Sequence, residues 1–409
     1  MRVRYSADEN GRRRKKALVY TREEHGINLS DVDRDAVFII ERLRAAGFET
    51  YIVGGAVRDL LLGQAPKDFD IVSEASPPRI KKVFRNSRII GRRFRLVHVY
   101  FGPKIFEVST FRSLKDGTTS NTFGTIEEDV RRRDFSLNAL FYDPLREEVV
   151  DYVDGLKDIR ERRIRPLISP ALIFRDDPVR MIRAVKYAAA TGFGLPLTLR
   201  LRIRRESSLL ADISASRLTE EIMKIIKAPR AAAIVELLEA QRLYSYLQPN
   251  AARLMREGSF RERYLQGFRA LSEPGAGGEL PGRNMAALIR DYLEDNIDWT
   301  AGTHENYAAA YYAARKFVLP MNPPRTELDQ AVRLIFGEHG ITLKKARFLE
   351  RGSGGFGPRM PREGAVPEKA GEAPPPKRRR VRRRHGKSAA PAEGLDAPGG
   401  RLAGDGEGV

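Results

Sequence analysis

Apolar and polar residues follow two different rhythms along this chain. In LSDVDRDAVFIIERLRAAGF, residues 29–48, the apolar positions recur at helical spacing with Ala36, Ile40 and Leu43 on one face. A helix capped by Asp31 or Asp33 and closed at Gly47 is predicted there. Strand signals follow in ETYIV, DFDIVSE, LVHVYFG and IFEVSTF, punctuated by Pro77 and Pro78 ahead of a short helix at 79–85. Gly102 and Pro103 make VHVYFGPKIFEVSTF read as a hairpin. From residue 155 the strand signals fade, and helical periodicity takes over through PVRMIRAVKYAAA, SRLTEEIMKIIKA and RAAAIVELLEAQRL. An α+β head over 31–154 is therefore expected to lead into helices, divided as 155–240 and 241–350. Residues 1–30 are polar and expected to fray. Residues 351–409, rich in Gly and Pro and nearly free of aromatics, are expected to form a disordered tail. No fixed-period repeat is visible.

Composition narrows what such a chain could do. Its 409 residues exceed a typical single domain, and 73 Lys plus Arg against 54 Asp plus Glu give a formal charge of +19. The excess favours a polyanionic partner such as nucleic acid or nucleotide, although a merely solubilising surface fits the charge equally well. With no cysteine, disulfides and thiolate zinc sites are excluded, and a carboxylate site for a hard metal is left open. No apolar run approaches a membrane span, and the basic start lacks a signal-type apolar stretch, so a soluble, cytoplasmic chain is expected.

Residues 51–70, YIVGGAVRDLLLGQAPKDFD, spend their unusual residues on backbone freedom and paired negative charge, which a hydrophobic core does not require. Gly54 and Gly55 follow a strand and open a short helix, an arrangement that lets backbone amides meet a phosphate chain, with Arg58 beside it. Asp68 and Asp70, two apart on a strand, would place both carboxylates on one face, where a divalent ion could be shared. A third acid for a two-metal site has two candidates: Glu107 among apolar strand residues, and Asp134 after three arginines in RRRDFSLNAL. In DDPVRMIRAVKYAAATGF, Asp177 can cap a helix with Pro178 in its first turn, leaving Arg180 and Arg183 on a shared face.

GGAVRDLLLG, DFD, RRRDFSLNAL and DDPVRMIRAVKYAA together resemble the nucleotidyltransferase family that holds bacterial poly(A) polymerases and tRNA CCA-adding enzymes, within the DNA polymerase β superfamily. The resemblance spans residues 25–250. It implies a polymerase-β-like head, metal-binding aspartates at Asp68 and Asp70 with Mg²⁺, an essential acid at Asp134, and triphosphate or sugar contacts from Gly54, Gly55, Arg58 and Arg133. It further implies base contacts from Asp177, Arg180 and Arg183; Asp176 stands where the family usually has Glu. The stretch IIGRRFRLVHVYFG looks like the poly(A) polymerase branch, with Arg92, Arg93 and Arg95 a basic cluster ahead of the strand. That branch implies adenylate transfer from ATP to RNA 3′ ends, with CCA or A addition to tRNA as the alternative. An inactive RNA-binding descendant is a reading from another class, opposed by the acid present at every position that needs one. The run KRRRVRRRHGK, residues 377–387, adds eight cations able to engage RNA phosphates. The connection SLKDGTTSNTFGTIEEDV is short for this branch.

Overall fold

The computed structural model describes residues 2–7, 13–91, 95–113, 123–271, 282–300 and 303–341, all within the unit Met1–Ala346. Arg92, Arg93, most of the SLKDGTTSNTF stretch and the tail with KRRRVRRRHGK lie outside these residues. Among the described residues nine strands form one sheet: β1 (Arg2–Ala7), β2 (Arg13–Tyr20), β3 (Thr50–Val53), β4 (Asp70–Ser73), β5 (Ser87–Ile90), β6 (Leu96–Phe101), β7 (Lys104–Thr110), β8 (Leu140–Asp143) and β9 (Glu148–Asp151). Their order is β1-β2-β9-β8-β3-β4-β7-β6-β5.

The four strands read from the sequence form as expected, and β6 and β7 make the hairpin, with Val99 opposite Phe106. Every pairing is antiparallel except β4 with β7, where Ile71 stands opposite Val108. A parallel pair needs a crossover, here carried by the helix Pro77–Val83 and the strands after it. Tyr51, Ile52 and Val53 on β3 and Ile71 and Val72 on β4 are buried, as expected for central strands covered on both faces.

The helix Arg34–Ala45 covers one face. Asp33 caps it by accepting a hydrogen bond from the Asp35 amide at 2.8 Å, and it buries Ala36, Ile39, Ile40 and Leu43. On the other face Val53, Val72, Phe111, Val130 and Phe141 share one apolar cluster, with Tyr51 edge-on to Phe141 at 5.9 Å. Each fully buried side chain of this size contributes about 1.5–3 kcal/mol, so the sheet around β3 and β4 is a firm base for whatever projects from its ends.

The expected fraying of residues 1–30 does not hold for the described ones among them, 2–7 and 13–30. β2 pairs with β9, placing Val19 opposite Val150, and Ala17, Leu18, Val19 and Tyr20 are buried. The physical reason is pairing on both sides: after the basic run, ALVY supplies four apolar residues that pair with β1 and cover an otherwise open edge of β9. Beyond the sheet the chain is helical, including Val179–Thr191, Ala215–Ile226, Ala231–Ala240, Gly258–Ala270, Arg283–Asn296, Thr303–Phe317 and Arg325–Glu338. The hydroxyls of Tyr244 and Tyr264 meet at 2.7 Å inside this body, satisfying two buried polar groups at once. No helix among the described residues is long and apolar enough to cross a membrane.

Candidate functional site

Where β3 ends, the chain turns at Gly54 with φ +77° and ψ −130°, a backbone state that side-chained residues rarely adopt. A Cβ there would stand 3.7 Å from Asp70 Oδ2 and 3.9 Å from Arg133 Nη1, ordinary contacts, so the glycine is required for conformation and not for space. The helix Gly55–Leu61 follows and presents Arg58, which donates from Nη1 to Asn138 Oδ1 at 3.1 Å and from Nε to Asp59 Oδ1 at 2.8 Å.

β4 begins at Asp70, so Asp68 lies in the bend ahead of the strand and the expected alternation aligns only one of the two acids. Asp70 is open to solvent yet set within the cleft. That enclosure is the largest cause of a carboxyl pushed up to about 6; Glu107 adds to it, Arg133 opposes, and Asp68 adds the remainder. The Glu107 effect follows from topology: with Ile71 opposite Val108, the residues one step back on the parallel strands are Asp70 and Glu107. Glu107 is exposed and lies 3.5 Å from His98 Nε2.

Asp134 is differently placed. It is buried, its Oδ1 accepts from the Phe135 amide at 2.9 Å and from Asn138 Nδ2 at 3.4 Å, and its Oδ2 lies 2.9 Å from Arg183 Nη2. That last contact is an ion pair without good hydrogen-bond geometry. Of the two acids considered for a third metal position, Glu107 is the one whose charge acts on Asp70, while Asp134 is engaged with an arginine. Among the described residues, no three His, Asp or Glu side chains close around a common point.

Asp70, Asp134, Gly54 and Gly55 line one cavity of about 420 Å³, together with Arg58, Arg112, Arg132, Arg133, Arg180 and Arg183. Arginines outnumber the acids in this lining. Arg132 shows the consequence: burial, then Arg112, push its guanidinium down to about 10, with Arg133 and Arg180 adding and only Asp129 opposing. Arg133 is held by Asp129, with Nη2 donating to Oδ2 at 2.7 Å, and donates from Nη1 to the Asn138 carbonyl at 3.2 Å. A small polar cavity with surplus positive charge suits a multiply charged anion.

The helix Val179–Thr191 forms one wall. Asp177 caps it as expected, accepting from the Val179 amide at 3.2 Å, and also takes Arg217 Nη2 at 2.7 Å. Arg180 and Arg183 share the face read from their spacing, and Tyr187 extends it. Arg180 is buried with Nη1 lacking a hydrogen-bond partner, a donor available to a ligand. Tyr187 accepts from Arg183 Nη2 at 3.1 Å and has Arg58 over its ring at 5.3 Å.

The structure thus gathers Gly54, Gly55, Arg58, Asp70, Arg133, Asp134, Arg180 and Arg183 around one cavity. Asp68, Glu107 and Asp177 do not line it. Sequence reasoning missed Arg112, Asp129, Arg132, Asn138 and Tyr187. The i, i+4 spacing of Asp129 and Arg133 was a usable signal, whereas Arg112 reaches the cavity only through the β4–β7 pairing.

Comparison with known proteins bears on this arrangement. Residues 50–165 match the poly A polymerase head domain, and residues 192–255 match a module described as the probable RNA and SrmB-binding site of polymerase A. The chain is 43% identical over 260 residues to poly(A) polymerase I of Escherichia coli O157:H7, covering 60% of this chain and 56% of that one. It is 36% identical over 282 residues to poly(A) polymerase I of Haemophilus influenzae, covering 64% and 62%. To the CCA-adding enzyme of Geobacillus stearothermophilus it is 37% identical over 220 residues, covering 52% and 54%. The chain therefore spans little more than half the length of the curated relatives it matches. Among solved structures, the Bacillus stearothermophilus CCA-adding enzyme in complex with CTP superposes with a TM-score of 0.53 at 27% identity, covering 80% of this chain and 89% of that one. Four motifs in order, the polymerase head match and these identities agree in likening the chain to the nucleotidyltransferase family shared by bacterial poly(A) polymerases and CCA-adding enzymes.

Proposed function

We propose that this chain is a template-independent poly(A) polymerase, acting in the cytoplasm, that adds AMP from ATP to RNA 3′ ends and releases pyrophosphate. The observation that carries this reading over CCA addition is the higher identity, over a longer stretch, to poly(A) polymerase I than to the CCA-adding enzyme. In the reaction the primer 3′ oxygen forms a bond to the α-phosphorus of ATP, the bond from that phosphorus to pyrophosphate breaks, and the hydroxyl proton passes to solvent.

The arginine-rich cavity is the triphosphate site. Arg58 and Arg133 are anchored by Asp59, Asn138 and Asp129, so their cationic ends are already ordered before an anion arrives. Gly54 turns the chain so that the helix beginning at Gly55 opens at the cavity, and the free donor on Arg180 together with Arg183 presents hydrogen bonds to the base. Asp177 holds the start of their helix through its cap and its pair with Arg217. Asp134 is a positioning acid for Arg183. Asp68 and Asp70, with Glu107 beside them, offer the hard oxygen ligands that Mg²⁺ prefers, and the Asp70 carboxyl, raised first by its enclosure and then by Glu107, is one whose charged form a cation would favour. Bound there, Mg²⁺ supplies Lewis acidity at the primer hydroxyl and offsets charge on the leaving pyrophosphate.

The test crosses nucleotide with primer: oligo(A) and tRNA lacking its 3′ end, each given labelled ATP or CTP. AMP incorporation on oligo(A) that vanishes in Asp70→Ala is the expected result. CTP incorporation confined to tRNA ends would establish CCA addition instead.

A further inference from the structure

One residue of the arginine-rich cavity touches cations from two different helices. Tyr187 lines the cavity and lies four residues beyond Arg183 on the helix Val179–Thr191, the spacing at which two helical side chains meet. Arg183 Nη2 donates to the Tyr187 hydroxyl at 3.1 Å, and the same nitrogen lies 2.9 Å from Asp134 Oδ2. The Arg183 guanidinium is therefore held between its own helix and the RRRD segment of the head. A planar fork with one donor fixed has its remaining donors aimed.

The Tyr187 ring has a separate set of neighbours. Arg58, on the helix Gly55–Leu61, stands over it at 5.3 Å from the centroid, with Arg183 and the Lys186 ammonium each at 5.8 Å. Attraction to the negative face of an aromatic ring opposes the repulsion that cations gathered this closely would otherwise feel. Asp59 and Asn138 hold the edge of the Arg58 guanidinium, and Tyr187 supplies a surface for its face. Lys186 is occupied elsewhere, 3.0 Å from Glu221. The ring is itself braced by Phe135, which is fully buried and meets it at 6.0 Å and 81°.

We propose that Tyr187 is a positioning residue that couples the two ends of the nucleotide site, its hydroxyl placing Arg183 at the base and its ring placing Arg58 at the triphosphate. The proposal rests on the polymerase reading for the identity of the ligand. Ordering both guanidinium groups before the ligand arrives removes that cost from binding. The two duties belong to different atoms, so substitution separates them. Phe removes the hydroxyl and keeps the ring, whereas Leu removes both.

The test titrates the full chain with ATP and with inorganic tripolyphosphate, which has the phosphates without the base, and reads affinity from the rise in thermal midpoint. Tyr187→Phe should weaken ATP about fivefold, since Arg183 is partly open to solvent, and leave tripolyphosphate within about twofold. Tyr187→Leu should also weaken tripolyphosphate, by about threefold, because Arg58 loses the ring. Adding Tyr187→Phe to Arg183→Met should cost no further ATP affinity. In AMP incorporation on oligo(A), Tyr187→Phe should raise KM for ATP with kcat held within about twofold, the pattern of a lost binding contact. A residue that only packs would leave Tyr187→Phe silent, or would lower the midpoint of the ligand-free chain and weaken both ligands alike. Unchanged ATP affinity in Tyr187→Phe, equal losses of the two ligands in that variant, or unchanged tripolyphosphate affinity in Tyr187→Leu would overturn the proposal. Absence of AMP incorporation by the wild-type chain would instead remove the polymerase reading, and the two binding titrations would still decide the role of Tyr187.

Discussion

Replacing Asp134 by Asn separates two roles that an acid at this position could have. The carboxylate is 5% exposed and lies 2.9 Å from Arg183, whose side chain keeps 37% of its surface. A fully buried pair broken on one side costs about 3–5 kcal/mol, but an arginine this open to solvent recovers hydration, so about 1–2 kcal/mol of Arg183 placement should be lost. Asn keeps the shape and the acceptor for the Phe135 amide, and the fold should persist. If Asp134 acts through Arg183, the KM for ATP should rise about 5- to 30-fold, the equivalent of that energy, while the Mg²⁺ concentration giving half-maximal rate stays put. A cycle with Arg183→Met should show the two losses failing to add. Steady-state AMP incorporation over crossed ATP and Mg²⁺ titrations measures all of this. A several-fold increase in the Mg²⁺ requirement with KM unchanged would refute the reasoning and make Asp134 a metal ligand.

Other expectations follow from the same geometry. Gly54→Ala fits sterically but must hold a backbone state reserved for glycine, at a cost of about 1–3 kcal/mol, read as a lower denaturant midpoint with AMP incorporation falling as the turn relaxes. For Asp70, an acid raised to about 6 is protonated more readily in the folded than in the unfolded chain, so it subtracts stability above pH 6 and the penalty fades as pH falls towards 4. Asp70→Asn should therefore raise the thermal midpoint at pH 8 without divalent ions, by at most about 1 kcal/mol for a group open to solvent, give no gain at pH 4, and abolish incorporation. A lower midpoint at pH 8 would contradict the electrostatic account. Residues 351–409 hold 13 Lys or Arg and 7 Asp or Glu, a net +6 of the +19, so a chain ending at residue 350 should add the first adenylates normally at low salt yet make shorter tails as salt rises. Equal salt slopes for the two lengths would detach the tail from the RNA.

Much of the head was legible because its signals are local. The cap at Asp33, the alternating β6–β7 hairpin and the capped helix carrying Arg180 and Arg183 each depend on neighbours within a few positions. What stayed hidden depends on distant partners. β8 and β9 are buried on every residue and so lack alternation, and β2 joins the main sheet by pairing with β9, far off in the chain. The acid pair shows both sides: DFD was visible as chemistry, but that Asp70 lines the arginine-rich cavity and Asp68 does not follows from where the strand begins, which the residue spacing alone does not reveal.

The pairing of β2 with β9 also sets an order of events during synthesis. Val19 leaves the ribosome about 130 residues ahead of its partner Val150, a wait on the order of ten seconds at ordinary translation rates. Through that interval ALVY can pair with β1 on one side, where Leu18 stands opposite Val3, but its other edge has no native partner, and it is an apolar segment of high strand propensity. The basic residues directly before it, RRRKK, then act as gatekeepers that keep the waiting segment from pairing with other chains. A charge needed for solubility before the sheet closes is thus built into the same strand that closes it.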